Sequence, residues 1–160
     1  MKLKNQLLLL ISLAVFACSS DPEPADAIYH QNGVALLGYD VVAYHEMNQA
    51  MIGNPEYTSE YGGYTYRFLT TGHKDSFDSN PDQYLPAYGG WCAYAVAKGS
   101  IHMAPDPELW QIQDGKLQLF YDDWTSTFTS NLKEEWNQDP ENYMVEADQN
   151  WVVMHPELVE

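Results

Sequence analysis

The sequence predicts a single α+β domain, and three observations carry that reading. Two stretches have the alternation and turn chemistry of β-hairpins, one around Gly62-Gly63 and one around Asp114-Gly115. Capping residues and prolines mark short helices between and after them. The 160 residues are 45% hydrophobic and 14% aromatic, enough apolar surface for one core and too much for a disordered acidic chain.

The elements follow in order. Residues 29–44 alternate loosely and are rich in Val, Leu and Tyr, which predicts a short strand and a turn. Residues 57–61 and 64–68 alternate on either side of two glycines that tolerate positive φ, a hairpin. Thr71 suits the cap of a helix that Asn80-Pro81 stops near Ser79. Residues 89–98 read as a second helix of small residues, with Lys98 in its last turn and Gly99 at the C′ position. Residues 109–113 and 116–121 flank Asp114-Gly115, a pair suited to a type I′ turn. Asp122 or Asp123 suits the cap of a helix reaching Asn137, and Pro140 sits just inside another that reaches Trp151. Two hairpins interleaved with short helices make an α+β domain.

Charge narrows the partners. The chain carries 23 acidic and 7 basic side chains, a formal net charge of -16. Residues 1–17 hold Lys2 and Lys4 and no acid, so the rest of the chain stands at -18. Nucleic acid is excluded as a partner, because its binding needs Lys and Arg to displace counterions. Cations and basic protein surfaces fit the field, which also serves solubility.

Lys2 and Lys4 precede an apolar run over residues 7–17 broken only by Ser12, the pattern of a signal peptide. Val15-Phe16-Ala17-Cys18-Ser19 resembles a bacterial lipobox, which implies a lipid on Cys18. Phe16 is bulkier than that pattern usually carries, and cleavage to a soluble periplasmic protein is the alternative. Ser19 resembles the residue after the cysteine in lipoproteins sorted to the outer membrane of Gram-negative cells. The expected organisation is a signal peptide (1–17), a polar tether (18–27) and the domain (28–160). Attachment to the membrane through the lipid follows.

Several blocks are distinctive. Gly38-Tyr39-Asp40-Val41-Val42-Ala43-Tyr44, Tyr61-Gly62-Gly63-Tyr64-Thr65-Tyr66-Arg67-Phe68, Asn80-Pro81-Asp82-Gln83-Tyr84-Leu85-Pro86 and Tyr88-Gly89-Gly90-Trp91-Cys92-Ala93-Tyr94 together resemble a YHS domain. Asp114-Gly115-Lys116-Leu117 and Ala147-Asp148-Gln149-Asn150-Trp151 resemble the C-terminal blocks of its exported single-domain members. The resemblance spans residues 33–151. It implies a small binding module, for a transition metal such as copper where the family's cysteines are complete. In register those cysteines fall on Ala43, Leu69 and His73, so the thiolate set is missing here.

Candidate ligands are therefore assembled from what is present. His45, Met47, His73 and Cys92 offer imidazole, thioether and thiol donors that suit copper. Cys92 also reads as a buried apolar thiol or as a redox or enzymatic group. His102-Met103 is a weaker pair, and His30 and His155 look ordinary. Tyr64, Tyr66 and Trp91, from a cluster of aromatics in the first half, are candidates to line a pocket for a flat ligand or a peptide. An interaction module for an envelope protein is the further alternative. No nucleophile elbow, phosphate loop or zinc-protease motif supports an enzyme, and no paired acids form an EF-hand loop.

Overall fold

The computed structural model describes residues 26–100, 103–122 and 131–158. The expected signal peptide, Cys18, nearly all of the tether and His102 lie outside the described residues. Two sheets, one of four strands and one of two, pack with short helices as an α+β fold.

Strands β1 (His30–Gln31) and β2 (Val34–Ala35) form a small antiparallel ribbon. A 3-10 turn, Leu36–Gly38, then delivers the chain to helix α1 (Val41–Glu46). Of the strand and turn expected over residues 29–44, the first part holds as β1, β2 and their turn, and this helix corrects the rest from Val41. Val41 and Val42 favour a strand by propensity, but the Asp40 side chain accepts from the N–H groups of Val42 and Ala43 and nucleates a helix instead.

Strands β3 (Asn54–Tyr61) and β4 (Tyr64–Phe68) are the first hairpin, turning through Gly62 (φ 58°) and Gly63 (φ 87°). β2 joins β4 in parallel, giving the order β1-β2-β4-β3. Helix α2 (Thr71–Ser79) follows, capped by Thr70 through the His73 N–H, one residue earlier than expected. After α3 (Pro81–Tyr84) comes a 3-10 turn, Ala87–Gly90, in which Gly89 and Gly90 both take positive φ. The helix expected from residue 89 therefore starts later, as α4 (Ala93–Ala97), with Gly99 left-handed beyond its Lys98 cap.

Strands β5 (Asp106–Gln113) and β6 (Lys116–Phe120) turn through Asp114 (φ 51°) and Gly115 (φ 76°), the two positive angles of a type I′ turn. Both hairpins slip register in their first strand, between Asn54 and Thr58 and between Asp106 and Trp110. Each slip contains a proline, Pro55 or Pro107, whose missing N–H cannot join a ladder. The helix expected from Asp122 or Asp123 is α5 (Leu132–Trp136), capped instead by Asn131; residues 123–130 lie outside the described set. Helix α6 (Pro140–Met154) begins at its proline and runs past Trp151.

Two apolar cores meet at β6. Leu117 and Leu119 pack with Leu36, Val41, Val42, Tyr44, Phe68 and Phe77. Phe120 faces the other way, toward Trp136, Val96 and Ala147. The segment around Pro86 and Cys92 lies parallel to β6 through bridges to Leu117 and Leu119. This places the Leu85–Cys92 stretch between the two hairpins, where the candidate site forms.

Candidate functional site

Asp40 is the most connected polar group of the first core. Its side chain is fully buried, and its Oδ1 accepts from Val42 N (2.9 Å) and Ala43 N (3.2 Å). Oδ2 accepts from Leu69 N (2.7 Å) and from His73 Nδ1 (2.6 Å). Ala43, Leu69 and His73, the positions onto which the YHS register lays its cysteines, thus converge on one carboxylate. Because a carboxylate oxygen accepts, Nδ1 carries the proton and Nε2 is the ring's remaining nitrogen. The His73 side chain keeps 14% of its surface exposed.

The other expected metal ligands do not gather there. Among the described residues, no three or more His, Cys, Asp or Glu side chains are grouped to hold a metal ion. His45 lies on α1 against Tyr84, with ring centroids 5.5 Å apart. Its Nε2 is buried with no partner among the described residues. Met47 caps the end of α1 and is exposed. Cys92 is fully buried beside β6, its Sγ accepting from Tyr121 N at 3.3 Å. Burial pushes that thiol up, against the low pKa a nucleophile or ready ligand needs.

Burial pushes the His45 imidazolium down, Lys116 adds to this, and Glu46 opposes it. Its folded value therefore lies below the ordinary 6.5. The unfolded chain takes up the proton first, so this stability is complete above the ordinary 6.5 and is lost as the pH falls from there to the lower folded value. Urea midpoints taken at about pH 7 and about pH 5 should separate more in the native protein than in His45→Gln. Equal separations would show that His45 is not the group responsible.

A tyrosine-lined cleft of about 410 Å³ opens between the first hairpin and the C-terminal helix. Tyr61, Tyr64 and Tyr66 come from the hairpin, Leu85, Tyr88 and Gly89 from the segment beside β6, and Trp151 from α6. Ala27 and Ile28 also line it. Tyr66 is 1% exposed and its hydroxyl has no partner among the described residues. Burial pushes this phenol far above its ordinary value, and the nearby phenols of Tyr61 and Tyr64 add to it. A larger groove shares Leu85, Pro86, Tyr88 and Trp151 and leads on to Asp82, Lys116 and Asp148.

Of the three aromatics singled out in the sequence, Tyr64 and Tyr66 line the cleft and Trp91 does not. The Trp91 indole N–H donates to the Asp26 carbonyl (2.9 Å), and its ring packs edge-on to Tyr29. The two histidines that looked ordinary support the walls. His30 tilts against Tyr64 (4.8 Å) and contacts Asp26 (2.6 Å), while His155 lies 4.2 Å from the Trp151 ring. His30–Asp26 and Trp151–His155 are four residues apart, and only the His30–Tyr64 contact is long-range.

The fold and site thus define a small α+β domain with a preformed aromatic cleft and a buried Asp–His pair. Comparison with protein-family models, with curated proteins and with solved structures finds no match in any of the three.

Proposed function

We propose that this chain is an exported, lipid-anchored binding module of YHS type whose site is the tyrosine cleft and whose ligand is a small organic molecule. The cleft carries the reading, with a buried phenol on its wall that has no partner among the described residues. A buried polar group without a partner costs about 1–3 kcal/mol, and a ligand that supplies one recovers it. The volume falls in the range of small-molecule pockets, and aromatic walls with few polar groups are their usual lining. The lipid on Cys18 would hold the domain at the periplasmic face of the outer membrane. Among the described residues no helix is long and apolar enough to cross a membrane.

The test uses a flat neutral probe. Indole titrated into the protein should shift the methyl NMR signals of Ile28 and Leu158, with a dissociation constant on the order of 1 mM. Tyr64→Ala should weaken it about fivefold, roughly 1 kcal/mol of lost aromatic contact, and Tyr64→Phe should not. If no probe of this kind moves the cleft signals, this reading fails.

A transition metal is the second reading, supported by the Asp40–His73 pair. A carboxylate that fixes one ring nitrogen and leaves the other is the usual support of a ligating histidine. Native mass spectrometry with Cu(I), Cu(II) and Zn(II) tests it. Binding lost in His73→Ala but kept in His45→Ala and Cys92→Ser would support this reading; no metal retained at micromolar concentration would end it.

A further inference from the structure

We infer that the cleft selects an organic cation bearing N–H groups, a primary or secondary ammonium on an apolar body. The inference rests on the reading of the cleft as a small-molecule site and names its ligand class.

Two carboxylates take the protons of phenols that line the cleft. Tyr61 donates its hydroxyl proton to Asp82 Oδ1 (3.1 Å), and Tyr88 donates to Asp148 Oδ1 (3.0 Å). Burial first, and then the charge of the nearby Asp26 carboxylate, push the Tyr64 phenol up. A phenol has one proton to donate. Once given to a carboxylate, the oxygen offers a ligand only its lone pairs. Two of the four phenols therefore ask the ligand for donors, and a third, Tyr66, is buried and unpartnered among the described residues.

Charge and ring geometry point the same way. The residues lining the cleft include no Lys, Arg or His to pair with an anion. His30 is engaged by Asp26, and Lys116 lies in the adjoining groove with its Nζ on the Asp82 carbonyl. The ring faces of tyrosine and tryptophan attract cations, by about 2 kcal/mol when desolvated. Carboxylates hydrogen-bonded to the phenols polarise them further in that sense. Around the site, a chain of net charge -16 draws cations in and repels anions.

Three probes of one shape separate the outcomes: phenethylamine (cationic at neutral pH), 2-phenylethanol (neutral) and phenylacetate (anionic), each followed by the Ile28 and Leu158 methyl signals. Phenethylamine should bind at least tenfold tighter than 2-phenylethanol, and phenylacetate weakest. Tyr66→Phe and the double variant Asp82→Asn with Asp148→Asn should each weaken phenethylamine about fivefold and leave 2-phenylethanol unchanged. If 2-phenylethanol binds as tightly as phenethylamine, or if neither variant changes the ratio, the cation assignment is overturned while the cleft stands. If none of the three binds, the cleft reading falls with it.

Discussion

Asp40→Ala is expected to cost the fold about 3–5 kcal/mol, the penalty for stripping one partner from a buried, fully hydrogen-bonded polar cluster. Four donors lose their acceptor together: the N–H groups of Val42, Ala43 and Leu69, and His73 Nδ1. The first two are orphan donors at the start of α1, so that helix loses its cap. Leu69 belongs to the chain between β4 and α2, so the same change frees the link from sheet to helix. Asp40→Asn separates these roles. Its amide oxygen can still cap α1, but its NH₂ then faces two donors. His73 can answer by moving its proton to Nε2; the Leu69 N–H cannot. A loss of about 1–3 kcal/mol is expected, with the ring-nitrogen NMR shifts of His73 reporting the change of tautomer. Urea unfolding measures both variants. An Asp40→Ala loss below about 1 kcal/mol would contradict a hub of this kind.

Gly89→Ala should act on stability and on the cleft at once. Gly89 sits at φ +59°, and a Cβ there would stand 1.7 Å from the Ala27 carbonyl oxygen and 2.8 Å from its carbon. Both are backbone atoms, so no rotamer relieves the contact. The chain must lift Ala27 and Ile28 away and give up the Tyr29 N–H bond to the Gly89 carbonyl (2.9 Å). About 2–3 kcal/mol is expected from strain and lost docking together. Gly99→Ala is the control: it has φ +80° with nothing within 4 Å, and should cost only the left-handed conformation, about 1–2 kcal/mol. Phenethylamine binding should fall about tenfold in Gly89→Ala, because Ala27, Ile28 and Gly89 itself line the cleft, and stay unchanged in Gly99→Ala. Equal losses of stability and affinity in the two variants would show that the segment does not dock as described.

What was legible in the sequence was local. Gly62-Gly63 and Asp114-Gly115 announce their hairpins because positive φ at two successive residues is a requirement that few residue pairs meet. Helix α1 is hidden because Val41 and Val42 argue for a strand, and the buried setting in which Asp40 caps Val42 and Ala43 is completed by Leu69 and His73, distant in sequence. The late start of α4 has the same origin. Gly89 and Gly90 look like permissive helix entry, yet Gly90 is left-handed and so close to Leu36 that a Cβ would stand 2.4 Å from its Cδ2.

The site divides along the same line. Tyr64 and Tyr66 share one strand with the hairpin turn, so their neighbourhood could be read. Tyr88 and Trp151 come from distant parts of the chain, and only packing of α6 brings them to the same cleft. Trp91 looked equivalent to them, but its indole N–H is committed to the Asp26 carbonyl. His45, His73 and Cys92 are grouped by donor chemistry and, for the two histidines, by the register of the resemblance, and each takes a separate partner: Tyr84, Asp40 and the Tyr121 N–H.

Strand β6 ties the two apolar layers together. Leu117 and Leu119 belong to one apolar layer and Phe120 to the other, while Pro86 and Cys92 pair along the same strand. Neither layer can melt without uncovering the strand that completes the other, so the two open as one thermodynamic body. A ligand bound in the proposed site would then protect residues that do not line the cleft, Asp40 and Trp136 among them. The gain is RT ln(1 + [L]/Kd), about 2.7 kcal/mol at a hundredfold excess over Kd, and it is shared by the whole domain.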